Sequence, residues 1–287
     1  NNSNIEMGMF SNGSNMKRFK LFETVINCLS WIRVSLDFGN ENNYNSFRKT
    51  NKANDFRTVL ENIKELSELK KKKQSKLTIG VGFVITKDNY NEIDEFCEIF
   101  KNIDIDYCQF KPEIIQIERI EKINKQKEQH SKKFWIEEIE EKLSKAERIL
   151  GNKFQSNSYK MEDLVFDPIK FGRNYKECLG SQFQPCIGAD GKIYVCTNHR
   201  GHEEFAYGNL YEKNFDEIWN DIKKKNSIMY KINYEQKFSK CTELCKPHES
   251  NKMLWKLKKE FYISKNLNEI KSKAKHLTKD IEHENFI

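Results

Sequence analysis

Five of the eight cysteines in this chain fall in its second half, which makes that region the first candidate for chemistry. Seventeen residues separate Cys178 from Cys196, and three separate Cys241 from Cys245. Thiolates on separate short segments can converge on one centre, because zinc and iron–sulfur clusters both take cysteine ligands. We therefore expect Cys178, Cys196, Cys241 and Cys245 to bind a metal, with Cys186 as a substitute for Cys178.

The nature of this centre stays open on spacing alone. A [4Fe–4S] cluster requires four converging thiolates and backbone N–H groups free for its sulfurs, and it is the preferred interpretation. Structural zinc is the direct alternative, although the first cysteine pair is spaced too widely for an ordinary zinc knuckle. The third interpretation is that these cysteines are core thiols that bind no metal.

The elements around these cysteines follow from turn signals and apolar spacing. Asp190-Gly191 predicts a tight turn, and hence a β-hairpin whose returning strand carries Cys196. A turn at 208–210 then leads into a predicted helix. Its expected apolar stripe consists of Phe215, Ile218, Trp219 and Ile222.

The first 115 residues alternate between strand-like and helix-like segments. Period-two patterns predict strands at 5–10, 30–37, 77–86 and 105–111. Apolar stripes predict helices at 17–27, at 90–101 and from Asn54 or Asp55 to Leu69. This order is typical of a parallel sheet with crossover helices. Residues 115–150 are expected to be helical and polar, ending at Gly151, and 151–177 irregular.

The two faces of the predicted sheet differ in chemistry. One face is aliphatic, with Ile32, Val34 and Leu36 in the second strand. The other is polar, and it carries Arg33, Ser35, Asp37, Gly80, Gly82, Tyr107, Gln109 and Lys111. A single polar face predicts an incomplete barrel with a ligand inside, where chemistry sits at the carboxyl ends of the strands. The polar residues near those ends are Asn12, Asp37, Thr86 and Lys111.

Composition excludes several classes of protein. No apolar run approaches the roughly 20 residues that span a bilayer, so we expect a soluble cytoplasmic protein without a membrane partner. The net charge of +7 comes from lysine runs interspersed with glutamate, so nucleic acid is not an expected partner. Cys28, Cys97 and Cys108 lie in apolar segments and are expected in the core.

The cysteine region resembles the SPASM or twitch domain that follows the barrel of radical S-adenosylmethionine enzymes. Cys178, Gly191 and Cys196 match the domain's opening, in which Gly-x4-Cys follows a first cysteine. Because only Cys241 and Cys245 come after them, the resemblance is to the shorter twitch form, with one auxiliary [4Fe–4S] cluster.

The upstream half resembles the same family. Residues 11–13, Ser-Asn-Gly, are similar to its strand-end Thr-Asn-Gly, and residues 33–37 are similar to its fourth barrel strand. The resemblance implies an α/β fold, with strands three to six of a partial TIM barrel and a small α+β twitch domain. The cofactor-binding residues that it implies, near S-adenosylmethionine, are Asn12, Ser35, Asp37 and Lys111.

The resemblance also implies a domain order and an activity. The barrel part would span 1–115, a helical linker 116–177, the iron–sulfur domain 178–250 and a helical tail 251–287. The parent enzyme would be an oxidoreductase or maturase that forms a radical on a small-molecule or peptide substrate. Flavodoxin or ferredoxin would reduce it. The alternative is a non-catalytic binding or scaffold protein stabilised by zinc or by an iron–sulfur cluster.

One departure from the family bears on activity. The defining Cys-x3-Cys-x2-Cys motif is not found in these residues, and Cys241-x3-Cys245-x2-His248 has its spacing but ends in histidine. We interpret the chain as an N-terminally truncated form. It lacks the three thiolates that would leave one iron open to the methionyl group.

These 287 residues alone are therefore predicted not to cleave S-adenosylmethionine. The measurement is chromatographic detection of 5′-deoxyadenosine after anaerobic incubation of the reconstituted chain with S-adenosylmethionine and dithionite. Formation above a protein-free control would contradict the prediction.

Overall fold

The computed structural model of the chain describes residues 6–48, 55–86, 88–112, 130–156, 175–234 and 245–264. Contacts divide the chain into two compact units. The first comprises Asn1–Ile115 and Lys122–Val165, and the second Gln116–Glu121 and Phe166–Ile287. Among the described residues, no helix combines the length and apolar character that crossing a bilayer would need.

The first unit is a parallel α/β structure. Its five strands are hydrogen-bonded in chain order, β1-β2-β3-β4-β5, and every pair is parallel. The elements are β1 (Gly8–Ser11), α1 (Phe22–Cys28), β2 (Trp31–Ser35), α2 (Glu41–Arg48), α3 (Asp55–Lys73), β3 (Thr78–Ile85), α4 (Ile93–Lys101), β4 (Tyr107–Pro112), α5 (His130–Leu150) and β5 (Phe154–Ser156).

One face of this sheet forms the core of the unit. The predicted aliphatic face is confirmed, since Ile32, Val34 and Leu36 are fully buried. Residues from all the surrounding long helices pack on it: Val59, Ile63 and Leu66 of α3, Phe96 and Phe100 of α4, and Ile139, Ala146 and Leu150 of α5. Burial of such side chains contributes roughly 1.5–3 kcal/mol each, so this face makes a large contribution to the unit's stability.

The opposite face is polar but closely packed near its centre. Arg33 of β2 lies in register with Gly80 of β3, which in turn lies in register with Tyr107 of β4. The Tyr107 ring covers Gly80 so closely that a Cβ there would stand 2.1 Å from the ring's Cζ. The predicted polar interior is therefore partly filled by its own side chains.

The second unit is smaller and built around a three-stranded antiparallel sheet. Its elements are β6 (Cys186–Ile187), β7 (Lys192–Tyr194), β8 (Ala206–Asn209), α6 (Phe215–Trp219), α7 (Ile222–Tyr234) and α8 (His248–Ser264). Asn214 begins α6 with a capping box, because its side chain accepts from the Glu217 N–H and the Glu217 carboxylate accepts in return. The fold class predicted from sequence, a partial α/β barrel followed by a small α+β domain with a hairpin, is confirmed.

Several local predictions in the first unit were wrong. Residues 14–20 form turns, and α1 begins only at Phe22, because Lys20 has a left-handed φ of 53° that a helix does not allow. Helix α2 was missed because its asparagine-rich sequence has no apolar stripe. Strand β5 falls in the stretch expected to be irregular, and its three residues are strand only because they pair with β4. Cys28 is exposed, not in the core.

The second unit also corrects the sequence interpretation. Gly208 belongs to β8, which pairs with β7, so the expected turn comes later. The expected stripe is interrupted at Asn220, where α6 ends, and Ile222 starts a new helix with 68% of its surface exposed. Strand β7 ends at Tyr194, so Cys196 lies two residues beyond the hairpin.

Gly80 and Gly82 of β3 allow a paired test of how closely side chains pack on the polar face. We expect Gly80→Ala to lower the free energy of unfolding by about 1–3 kcal/mol, because the new Cβ overlaps the Tyr107 ring. Gly82→Ala is the control, because a Cβ there meets nothing closer than Arg33 Cδ at 3.5 Å. Urea unfolding followed by circular dichroism measures both, and equal effects would contradict the described packing.

Candidate functional site

Cys196 is placed by the hairpin turn. Gly191 adopts a φ of 76° there, and the Tyr194 hydroxyl donates to Asp190 Oδ2 at 2.6 Å, which fixes the turn. Cys196 is buried, and burial raises the pKa of its thiol, while the backbone N–H groups of His199 and Asn198 act in the opposite direction. Such N–H donors aimed at sulfur suit a thiolate bound to a metal.

Cys178 is fixed by two asparagines from distant helices. Its backbone N–H donates to Asn233 Oδ1 of α7 at 2.8 Å, and its Sγ accepts from Asn251 Nδ2 of α8 at 3.5 Å. Asn251 Oδ1 also accepts from the N–H groups of Leu179 and Gly180, both at 2.6 Å. One amide therefore holds the thiol and the two backbone groups that follow it.

Helix α8 connects the two cysteine segments. Cys245 is buried and lies just before this helix, where its carbonyl accepts from the His248 N–H at 2.8 Å. The His248 ring bonds in turn to the Tyr175 hydroxyl, with 2.8 Å between Nδ1 and Oη. Because Asn251 of the same helix binds the Cys178 loop, α8 brings the segment of Cys245 to that of Cys178.

The structure gathers the predicted ligands only in part. Cys178 and Cys186 both lie near enough to Cys196 to raise the pKa of its thiol further, and Cys186 is half-buried. Cys241 lies outside the described residues. Within the described ranges, no three His, Cys, Asp or Glu side chains are grouped as a metal site. The ligand set therefore stays a prediction.

A buried hydroxyl beside the cysteines supports a bound group. Tyr207 is 4% exposed, and burial raises the pKa of its hydroxyl, with the thiols of Cys196 and Cys178 adding to the effect. Its Oη has no hydrogen-bond partner within the described part of the chain. An orphaned buried hydroxyl is costly, so an acceptor such as an inorganic sulfide or a coordinated thiolate fits here. These residues fit an iron–sulfur cluster.

Among the predicted barrel residues, Asp37 is fixed by the largest set of described hydrogen bonds, which involve both its side chain and its backbone. It has a left-handed φ of 63°, its Oδ1 accepts from the Val84 N–H at 2.9 Å, and its Oδ2 pairs with Arg48 Nη2 at 3.0 Å. Burial raises its pKa, against the opposing effects of that N–H and of Arg48. Its carbonyl accepts from Asn89, so the backbone and side chain are both fixed.

The other three predicted barrel residues differ in their relation to Asp37. Ser35 shares the Arg48 guanidinium with it, Lys111 acts on it through its charge, and Asn12 lies in a separate turn. Ser35 ends β2, and its carbonyl accepts from Arg48 Nη2 at 3.1 Å. Lys111 of β4 is half-buried, and its charge acts on Asp37. Asn12 is exposed, and its Oδ1 accepts from Ser14, which makes it a turn residue in this structure.

Several residues at these sites gave no signal in the sequence. Asn233 and Asn251 are single polar residues in helices, and only the folded contacts show that they hold Cys178. Arg48 sits in the missed helix α2, far from any motif. Tyr207 stands in a run, residues 207–210, that resembles the SPASM domain, but neither strand β8 nor the role of its hydroxyl was predicted.

The match to a known protein family lies in the second unit. Residues 178–246 match SPASM, an iron–sulfur cluster-binding domain. Over 219 residues the chain is 28% identical to a cysteine-type anaerobic sulfatase-maturating enzyme of Clostridium novyi (strain NT). That alignment covers 73% of this chain and 54% of the relative. The chain thus spans about half the length of the curated relative it matches.

Solved structures with a similar fold include Streptococcus suis SuiB bound to its precursor peptide SuiA. The TM-score is 0.51 at 16% identity, with 78% of this chain and 50% of that chain covered. Native anSMEcpe with bound AdoMet gives a TM-score of 0.47 at 16% identity, covering 85% of this chain and 65% of that one. At this identity the SuiB match shows a shared fold.

The side chain of Asn251 yields a prediction about the cysteine loop. We expect Asn251→Ala to lower the opening free energy of the Leu179 and Gly180 amides by about 2 kcal/mol, because one buried and one partly buried N–H group lose their acceptor. Hydrogen exchange with mass spectrometry should show roughly 30-fold faster exchange there. Lys252→Ala, which removes an exposed ion pair with Glu249, is the control, and equal loss of protection in both variants would refute the role of Asn251.

Proposed function

This chain is a relative of the radical S-adenosylmethionine enzymes with a C-terminal SPASM domain, and we propose that it is part of such an enzyme. The substrate of that enzyme would be a peptide or protein. In this proposal its second unit holds one auxiliary [4Fe–4S] cluster. The observation that carries it is the environment of Cys178 and Cys196. Both thiols are buried, both receive N–H donors, and an orphaned hydroxyl stands beside them.

The proposed ligands are Cys178, Cys196, Cys245 and Cys241, with Cys186 as the substitute for Cys178. A bound cluster would supply one-electron redox chemistry at this position. The chain's own contribution is to fix the thiols: Asn251 orients Cys178, and the N–H groups that follow Cys196 favour its thiolate form. Metal binding deprotonates cysteine, so the raised pKa of the Cys196 thiol makes ligation pH-dependent.

The first unit would hold S-adenosylmethionine and substrate on its polar face. Ser35, Asp37 and Lys111 support this role because they lie near the carboxyl ends of neighbouring strands, where barrel enzymes place their chemistry. Asn12 is the fourth residue of the proposal, at the end of β1. The three thiolates of the cluster that cleaves S-adenosylmethionine would have to come from outside these residues.

A peptide or protein substrate is favoured over a small molecule by what the relatives act on. The Clostridium novyi relative is a sulfatase-maturating enzyme, and the fold is shared with SuiB, which binds a precursor peptide. An external reductant such as flavodoxin or ferredoxin completes the proposal. The second candidate, a metal-stabilised binding or scaffold protein, rests on the absence of the Cys-x3-Cys-x2-Cys motif from these residues.

Metal analysis tests this proposal. We expect the chain, produced and purified anaerobically, to contain about four iron and four sulfide per molecule and to absorb near 400 nm, as roughly expected of a [4Fe–4S] centre. Cys196→Ala should lose most of this iron, whereas Cys28→Ala, at an exposed position in the first unit, should keep it. Stoichiometric zinc without iron would refute the cluster, and full iron in Cys196→Ala would refute the ligand assignment.

A further inference from the structure

The guanidinium of Arg33 is a buried charge that forms no ion pair with any carboxylate of the described residues. Arg33 is 6% exposed, and burial lowers its pKa. Its described contacts are a hydrogen bond from Nη1 to Gln109 Oε1 and a cation–π contact, with Cζ 4.3 Å from the centroid of the Phe10 ring. Neither contact neutralises the charge, and a buried charge is costly unless it is paired.

The carboxylate of Asp37, which acts on Arg33 through space, already has partners of its own. Its Oδ1 accepts from the Val84 N–H and its Oδ2 pairs with Arg48. These contacts hold Asp37 at the strand ends and away from ion-pair distance to Arg33. Within the described part of the chain, the Arg33 charge is therefore held without a direct ion pair.

The hydroxyl of Tyr107 is a second polar group on the same face, and it is unpaired within the described part of the chain. Tyr107 is 6% exposed, and its Oη has no hydrogen-bond partner among the described residues. Arg33 and Tyr107 flank Gly80 in register across three neighbouring strands, and each affects the pKa of the other. Side chains at positions in register point to the same face of a sheet, so a cation and a hydroxyl donor share this face.

Two glycines make this arrangement possible. Gly80 leaves the space that the Tyr107 ring fills, and Gly82 lies beneath the Arg33 side chain, where a Cβ would stand 3.5 Å from Cδ. Both long side chains thus lie along the β3 backbone with their polar ends held on one face. Such fixed donors suit recognition, because little entropy is lost when a ligand binds.

We propose that Arg33 and Tyr107 form a subsite for a carboxylate of the substrate, either the C-terminus or an acidic side chain of a peptide. The planar guanidinium matches a carboxylate in geometry, and the Tyr107 hydroxyl would donate to the same group. The single positive charge of Arg33 balances one negative charge, which a carboxylate carries and a phosphate dianion exceeds, and the Tyr107 hydroxyl adds a hydrogen-bond donor. The proposal rests on the proposed function, since it takes the substrate to be a peptide.

The test compares a matched pair of peptides on the full 287-residue chain. The probes are acetyl-Ala-Cys-Ala with a free C-terminal carboxylate and the same peptide with a C-terminal amide. Binding is followed by ¹⁵N nuclear magnetic resonance at Arg33 Nε–H and at the amides of Gly80 and Gly82. We expect saturable shifts with the acid peptide and none with the amide. Because the readout needs no iron, failure of cluster loading leaves it intact.

Variants separate the two donors. Arg33→Gln should weaken binding of the acid peptide about tenfold or more, and Tyr107→Phe about threefold to tenfold. Arg57→Gln, at an exposed arginine paired with Glu41, is the control and should bind as the wild type does. Tyr107→Phe removes one oxygen that has no hydrogen-bond partner among the described residues, so it keeps the test valid even where Arg33→Gln fails to fold.

S-adenosylmethionine, which carries a carboxylate of its own, is the third probe. Shifts at Arg33 with S-adenosylmethionine but not with the acid peptide would assign the carboxylate to the cosubstrate and overturn the proposal. Equal binding of the acid and amide peptides, or no shift with either up to millimolar concentration, would overturn it as well.

Discussion

The alternation of side chains along β2, β3 and β4 is the constraint on which the first unit depends. Because successive residues of a strand point to opposite faces, the buried residues Ile32 and Val34 commit their neighbours Arg33 and Ser35 to the other side. Helices α3, α4 and α5 cover the apolar face, and hydrophobic burial there offsets the cost of burying polar groups opposite. The polar face is thus a consequence of the core, and it holds polar side chains that the core could not accommodate.

The second unit is organised by a different kind of interaction. Its strands are two to four residues long and its apolar cluster is small, so side-chain amides do much of the positioning. Asn251 joins helix α8 to the loop of Cys178, and Asn233 joins α7 to the same loop. Small domains with little core commonly gain stability from a bound metal, and a centre held by these cysteines would act in that way.

The sequence predicted the parts of the structure that repeat a pattern. Period-two runs predicted β2, β3 and β4 and both of their faces, and apolar stripes predicted α3 and α4, because burial imposes these periods. Strands β5 and β8 were missed, since three or four residues without alternation become strand only through pairing with a neighbour. The cysteine spacing and Asp190-Gly191 indicated the candidate site, whereas Tyr207 and Asn251 could not be identified, because their roles come from contacts between distant segments.

The register of Arg33, Gly80 and Tyr107 has a consequence for how this scaffold can diversify. The apolar core and the polar face are encoded at alternating positions of the same strands, so substitutions in one set leave the other set largely unchanged. Gly80 and Gly82 of the central strand also leave space above the backbone, which side chains of the neighbouring strands can fill or leave open. A lineage built on this sheet could therefore exchange one ligand chemistry for another through a few substitutions while its helices and core stay as they are.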